Sequence, residues 1–287
     1  MAKGRELKGR IKSVENTRKI TRTMEMVATS KMKRAQDRVV AARPFANSLR
    51  EVIANLYTPE LAERFPLLRQ PATVKKAAVI VLTSNRGLAG AFNANLLKEA
   101  RALLARLKEA SAEPELHVIG KKGLGYFRYV GRAVASSRTD VTDRPTAQNA
   151  AEIVDELIQR FASAEIDAVY VVYAKFQSAL STPPATQMIL PVTPPERTGP
   201  QPDYILLPSA EAILTQLLPS YVRNSVYRAL VETAAGEQGA RRTAMKNATD
   251  NAGEMLNVLR RTFNRARQAQ ITQEIAEIVG GAAALEG

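Results

Sequence analysis

The chain has 287 residues with 41 Lys or Arg against 28 Asp or Glu, a formal net charge of +13, one histidine and no cysteine. That length allows one large or two modest domains, while the missing cysteines exclude a disulfide, a thiolate metal site and a thiol switch, and a lone histidine excludes a histidine metal cluster. Hydrophobic residues reach 45%, but aromatics only 5% and tryptophan is absent, which suits slim helical pairs built on Ala, Leu, Met and Val.

The N-terminus enters charged helix at once, with no signal-peptide core. No apolar run approaches the roughly 18 residues of a membrane span, so a soluble, intracellular protein is expected. A first helix is predicted from about Gly4 to Tyr57. From Ala28 onward, Met32, Ala35, Val39, Ala42, Ala46, Leu49, Ile53 and Leu56 recur in a 4-3 alternation, the seam of a helix that winds around a partner. Run backwards, the register meets Val14, Ile11 and Leu7, but between Val14 and Ala28 it calls for Arg18, Thr21 and Glu25, and the apolar stripe moves to Ile20, Met24 and Val27. This window is expected to meet something besides its partner helix. Pro44 predicts a bend or a local break. Residues 1–56 carry fourteen basic and five acidic residues, a net +9, which calls for an anionic partner.

Residues 58–75 read as a proline-punctuated linker. The middle then alternates: a buried strand at Ala77–Thr83, an amphipathic helix at Leu88–Glu109, a short strand at Leu116–Ile119, helices at Lys121–Val130 and Ala147–Ala162, a strand at Ala168–Ala174 and a last strand at Gln187–Val192. Such alternation predicts a mainly parallel sheet covered by helices. Nine of the fifteen prolines lie between Pro183 and Pro219, predicting an extended return to a second long helix. That helix starts near Ser209, a plausible N-cap, with a kink expected at Pro219. Its seam is placed at Met245, Ala248, Ala252, Met255 and Leu259, and resumes at Ile271, Ile275, Ile278, Ala282 and Leu285. Several seam positions are Ala, which buries far less than the roughly 1.5–3 kcal/mol of a Leu, so a surrounding partner is expected to support the pair.

No catalytic constellation emerges. Gly87-Leu88-Ala89-Gly90 follows a strand but lacks the full dinucleotide fingerprint, and the loop from Gly120 to Gly125 is equally incomplete, so both read as tight turns. His117 reads as structural. The basic first helix could track phosphates, which leaves a coiled-coil nucleic-acid-binding protein as the alternative; an acidic protein partner is favoured. The C-terminal run from Ile278 to Leu285 is apolar where a chain end normally frays into water, which points to enclosure.

These stretches resemble one family. ITRTMEMVATSKM, from Ile20 to Met32, and RARQAQITQEIAEIVGGAAA, from Arg265 to Ala284, are similar to the two terminal signatures of the gamma subunit of F-type ATP synthases. Glu237-Gln238-Gly239-Ala240-Arg241, the run from Ala244 to Asn251 and Ser84-Asn85-Arg86-Gly87-Leu88-Ala89-Gly90 match between them. The resemblance implies an α/β protein whose long terminal helices, 1–57 and 209–287, form an antiparallel coiled coil, with a central Rossmann-like domain at 75–195. It implies a non-catalytic, proton-driven rotor without cofactor, present in one copy and turning inside three alpha and three beta subunits. The epsilon subunit and the membrane-embedded c-ring are the other implied partners, at the cytoplasmic face of a bacterial plasma membrane, with no nucleic acid. By motif match, Met24, Lys31 and Arg241 face the lever loops of beta. Arg267, Gln268, Thr272, Glu274 and Glu277 meet beta higher up, and Ala282, Ala283, Ala284 and Leu285 turn in an apolar sleeve. Two departures concern this chain. Ala89 stands where many relatives carry cysteine, and Leu206-Leu207 after Tyr204 replaces the aromatic–acid pair expected near the c-ring.

Overall fold

A computed structural model describes residues 2–57, 64–178, 181–193 and 209–285, with the side chains of 2–4 and 282–285 outside that description; the Tyr204–Leu207 segment lies outside the described residues. Long helix α1, Ala2–Leu56, opens the chain. A 3-10 turn at Pro66–Leu68 leads to β1, Lys76–Leu82, then α2, Phe92–Glu109, β2, Glu113–Ile119, and α3, Lys121–Tyr129. Next come β3, Ser136–Arg138, α4, Ala147–Ala162, β4, Ala168–Ala174, β5, Pro184–Leu190, and α5, Ala210–Leu285. The backbone packs as two units, one of residues 28–241 and one pairing 1–27 with 242–287. Each long helix contributes to both.

In the unit of residues 28–241 the strands run in the order β3-β2-β1-β4-β5. β1 to β4 are mutually parallel and β5 is antiparallel to β4. β1 is central because its run of Ala, Val and Ile suits burial on both faces. Its alternate residues serve two cores. Ala77, Val79 and Val81 pack with α2 and α3 on one face. Ala78, Ile80 and Leu82 face a larger core holding α4, Leu49 to Leu56 of α1 and Leu214 to Leu230 of α5. The α1 seam is buried at every expected position from Ala28 to Leu56 except Ala42, which is half-buried. Ala35 and Val39 meet Val231 and Ala235, while Leu49 to Leu56 lie with Leu214 and Leu218, so α1 and α5 run antiparallel here.

In the second unit the same antiparallel order continues. Thr21 meets Thr249, Arg18 lies beside Gly253, and Glu15 pairs with Arg260. Leu7, Ile11 and Val14 are only half-buried.

Several expectations need correction. The α5 seam runs through Met245, Thr249, Ala252 and Leu256, leaving Met255 exposed, because the 4-3 spacing from Met245 selects Thr249 and Leu256. Pro44 and Pro219 both sit inside unbroken helices. α2 starts at Phe92 because Leu88 and Gly90 take φ of 62° and 57°, left-handed values that no helix accepts. β5 begins three residues earlier than expected and β3, a three-residue edge strand without apolar alternation, was not foreseen. Ser209 does cap α5, its Oγ accepting from the amide of Ala212 at 3.2 Å.

His117 is buried between β2 and β3. Its Nδ1 lies 2.7 Å from Ser136 Oγ, and its Nε2 stands 3.1 Å from Glu115 Oε1 without hydrogen-bond alignment. Burial pushes the ring's pKa down, against the pull of Glu115. An unfolded ring therefore takes up a proton near 6.5 that the folded ring refuses. Stability should be full above that value and decline as pH falls from it through the folded pKa. Glu115, whose Arg160 hydrogen bonds depress its own pKa, acts in the same direction below 4.5. Denaturation midpoints of the chain and of His117→Asn between pH 7.5 and 5 should converge toward the acid end; parallel curves would refute the assignment.

Candidate functional site

At the carboxyl ends of β1 and β2 the chain binds itself. Asn85 Oδ1 accepts from the Lys121 amide at 3.0 Å, Ser84 O from the Lys122 amide at 3.1 Å and Thr83 Oγ1 from the Gly123 amide at 3.0 Å. These are the first amides of α3, the donors that a helix N-terminus would otherwise offer to an anion. Asn85 also donates to Thr139 O and Val141 O, at 3.1 and 2.8 Å. Both glycine loops thus lock strand ends together. Gly120 has a φ of 103°, and a Cβ there would lie 2.2 Å from Thr83 O, so only glycine fits the close approach.

Beside this closure lies a charged junction. Arg241 of α5 is buried, its Nη2 donating to Gly87 O at 3.2 Å and to Glu237 Oε1 at 2.6 Å. Burial pushes the Glu237 carboxyl above its usual range, with Arg241 pulling the other way. Lys31 of α1 donates to Asp143 at 2.6 Å. Burial opposes the charge on Asp143, but the bond to Lys31, with Arg144 and Arg86 nearby, outweighs it and holds the carboxyl below its usual range. Asp143 and Arg86 also act on Glu237, so two of the sequence-selected residues, Lys31 and Arg241, belong to one network joining α1, α5 and two loops of the sheet. Both charges are matched within the chain. Glu237 was legible as the i,i+4 acid of Arg241; Asp143 and the Gly87 carbonyl had no local signal.

The other selected residues lie on the second unit. Met24 is half-buried, flanked by exposed Ile20 and Val27. Thr21 fills the seam there instead, its hydroxyl 2.8 Å from that of Thr249. Arg267, Gln268, Thr272, Glu274 and Glu277 are exposed on α5. Glu274 and Glu277 accept from Gln270 and Gln273, both i,i+4 pairs that stiffen the helix. From residue 257 to residue 281 no described side chain is buried, although Ile271, Ile275, Ile278 and Val279 are 47, 56, 72 and 61% exposed. Ala282, Ala283, Ala284 and Leu285 lie in the final helical turn, their side chains outside the described residues. An apolar stripe this long on a bare helix fits enclosure by a partner. Among the described residues no helix is long and apolar enough to cross a membrane, and no cluster of His, Asp and Glu could hold a metal.

A family model described as ATP synthase matches residues 3–285. The ATP synthase gamma chain of Gemmatimonas aurantiaca is 67% identical over 290 residues, covering 100% of both chains. That of Mycolicibacterium smegmatis is 42% identical, with 99% of this chain and 98% of the relative covered. Among solved structures, a chain of the central stalk and c-ring of the Tetrahymena thermophila mitochondrial ATP synthase superposes with a TM-score of 0.62 at 27% identity, covering 80% of this chain and 99% of that one. A chain of the Euglena gracilis mitochondrial enzyme gives 0.71 at 21% identity, covering 99% and 95%.

Proposed function

The chain belongs to the ATP synthase gamma-chain family, and from that premise we propose that it is the non-catalytic central stalk of a proton-translocating ATP synthase. In this reading the two long helices, within residues 1–57 and 209–287, form the turning axle, and residues 75–195 the body. The axle stands within three alpha and three beta subunits. The body joins the epsilon subunit and the c-ring at the cytoplasmic face of the bacterial plasma membrane. Proton flow turns the ring and this chain with it, and the axle's asymmetry drives the beta sites through successive nucleotide affinities; ATP hydrolysis turns it in reverse.

The bare apolar stripe on the last turns of α5 carries this reading. Gly and Ala supply no side-chain hydrogen bonds, and the isoleucines make contacts without preferred direction, so a sleeve can hold this end without fixing its angle. Met24, Lys31, Arg241, Arg267, Gln268, Thr272, Glu274 and Glu277 are the proposed beta contacts, with Ala282 to Leu285 in the sleeve. For Arg241, whose charge is already matched, the contact runs through the backbone and neighbours it positions.

The absence of native cysteine makes the test clean. Ile275→Cys should react rapidly with a maleimide in the free chain and at least about tenfold more slowly once the chain is assembled with its alpha and beta subunits, since burial removes thiol access. Ser163→Cys, at the exposed end of α4, serves as the comparison. Equal rates at Ile275→Cys in free and assembled chain would contradict the enclosure.

A further inference from the structure

The outer surface of α2 and α3 covers one sheet face and carries cations that the chain leaves unmatched. Lys98, Arg101 and Lys108 stand exposed on α2, Lys122 and Arg128 on α3. Among the described residues none of the five is in an ion pair. The two acids of α2 leave these five cations unpaired: Glu99 accepts from Thr186 of β5 at 2.7 Å and lies 3.8 Å from Arg106 Nη2, and Glu109 is the helix's last residue. Tyr129, on the outward side of α3, is 90% exposed. Arg101 donates to the hydroxyl of Tyr126 at 3.4 Å, which ties the two helices into one surface. The inner faces of both helices are fully apolar and well packed, so folding demands nothing of these outer positions. Exposed Tyr and Arg are the residues that dominate protein interfaces.

We infer that this face is a docking surface for an acidic segment of a protein partner. From Lys98 to Lys108 the cations extend along about 15 Å of helix, so carboxylates spaced along a helix or strand of the partner match them in series. An amphipathic helix held in a membrane surface would present a row of apolar side chains amid the cations, whereas Tyr129 and Val130 are the large apolar residues exposed here among the described ones. Single-stranded nucleic acid would require several free aromatic faces, whereas Tyr126 is half-buried and engaged. α2 and α3 belong to the body of residues 75–195, so the inference rests on and deepens the stalk reading while leaving the proposed beta contacts untouched.

The test uses the full chain and a fluorescent poly-glutamate peptide at low salt, read by anisotropy. Lys98→Glu/Arg101→Glu/Arg128→Glu is compared with Lys8→Glu/Arg10→Glu/Lys12→Glu, which makes the same charge change on α1. The face variant should weaken binding by about tenfold or more and the α1 variant by less than about threefold, since screening confines the effect to nearby charges. Tyr129→Ala should also weaken it without altering the charge. Equal losses in the two charge variants, or no peptide binding at all, would overturn the inference. So would tighter face-dependent binding to phosphatidylserine vesicles or to an oligonucleotide. Assembly with alpha and beta should be unaffected by the face variant, which keeps this result separate from the stalk proposal.

Discussion

Replacing Arg241 by methionine should cost about 3 kcal/mol at pH 7, and the loss should shrink as the pH is lowered toward 5. The reason is the partner left behind. Glu237 sits next to Arg241 with its side chain only 12% exposed, and burial already pushes its carboxyl up from 4.5. Without the guanidinium the carboxylate escapes by taking a proton. Doing so at pH 7 costs about 1.36 kcal/mol for each of the roughly 2.5 pH units involved, which caps the damage. The sign follows from linkage: a raised folded pKa gives stability that is full below 4.5 and lost as pH rises through the folded value. Glu237→Leu should behave differently, because a stranded guanidinium cannot neutralise itself and its penalty should not fade with acid. The double variant should return close to the parent, as buried ion pairs replaced by apolar groups often do. Urea denaturation at pH 7 and pH 5 reads all four chains. A pH-independent loss in Arg241→Met would show that the pair is not the source of the effect.

Gly120→Ala should destabilise the 28–241 unit by about 2–6 kcal/mol, combining a strained left-handed backbone with forced separation of packed strands. The new Cβ would lie 2.2 Å from Thr83 O and 2.7 Å from Thr83 Oγ1. That hydroxyl donates to Ile119 O and accepts from the Gly123 amide, so pushing it aside opens the junction of β1, β2 and α3 at once. Gly125→Ala supplies the control. Its Cβ meets nothing within 4 Å inside a helix, where alanine gains about 0.5–1 kcal/mol over glycine. Opposite signs for two glycines five residues apart are the expected result of denaturation midpoints. A loss below about 1 kcal/mol for Gly120→Ala would mean that the turn yields more easily than its geometry suggests.

What the sequence made legible follows from how local each signal is. The α1 seam, β4 and α4 were readable because period and propensity agree over many residues, and the glycine loops because they break an apolar run. β3 was not, since Ser136-Ser137-Arg138 pairs with β2 through its backbone and carries no apolar alternation. The α5 seam slipped at Met255 because Thr249 is polar, and only the facing Thr21 hydroxyl explains its burial. At the junction, motif resemblance points to Lys31 and Arg241, but Asp143, the partner of Lys31, lies 112 residues from it and no periodicity could have joined the two. Gly87 and Arg241 are 154 residues apart, so Gly87 is legible only as a turn residue and not as the acceptor for Arg241.

The junction has a mechanical consequence within the stalk proposal. Arg241 and Lys31 fasten both long helices to loops of the sheet by charged bonds, whereas the unit of residues 1–27 and 242–287 is held by a seam in which Thr21, Met245, Thr249, Ala252 and Leu256 are buried. The i,i+4 bonds from Gln270 to Glu274 and from Gln273 to Glu277 each support the exposed last turns of α5 by about 0.2–0.5 kcal/mol.

The most direct test fixes the assembled alpha and beta subunits to a surface and follows a probe attached through Ser163→Cys. With ATP present, the probe should turn in one direction, in steps, and stop when ATP is exhausted. Full ATP hydrolysis by the complex with a stationary probe would contradict the rotor account.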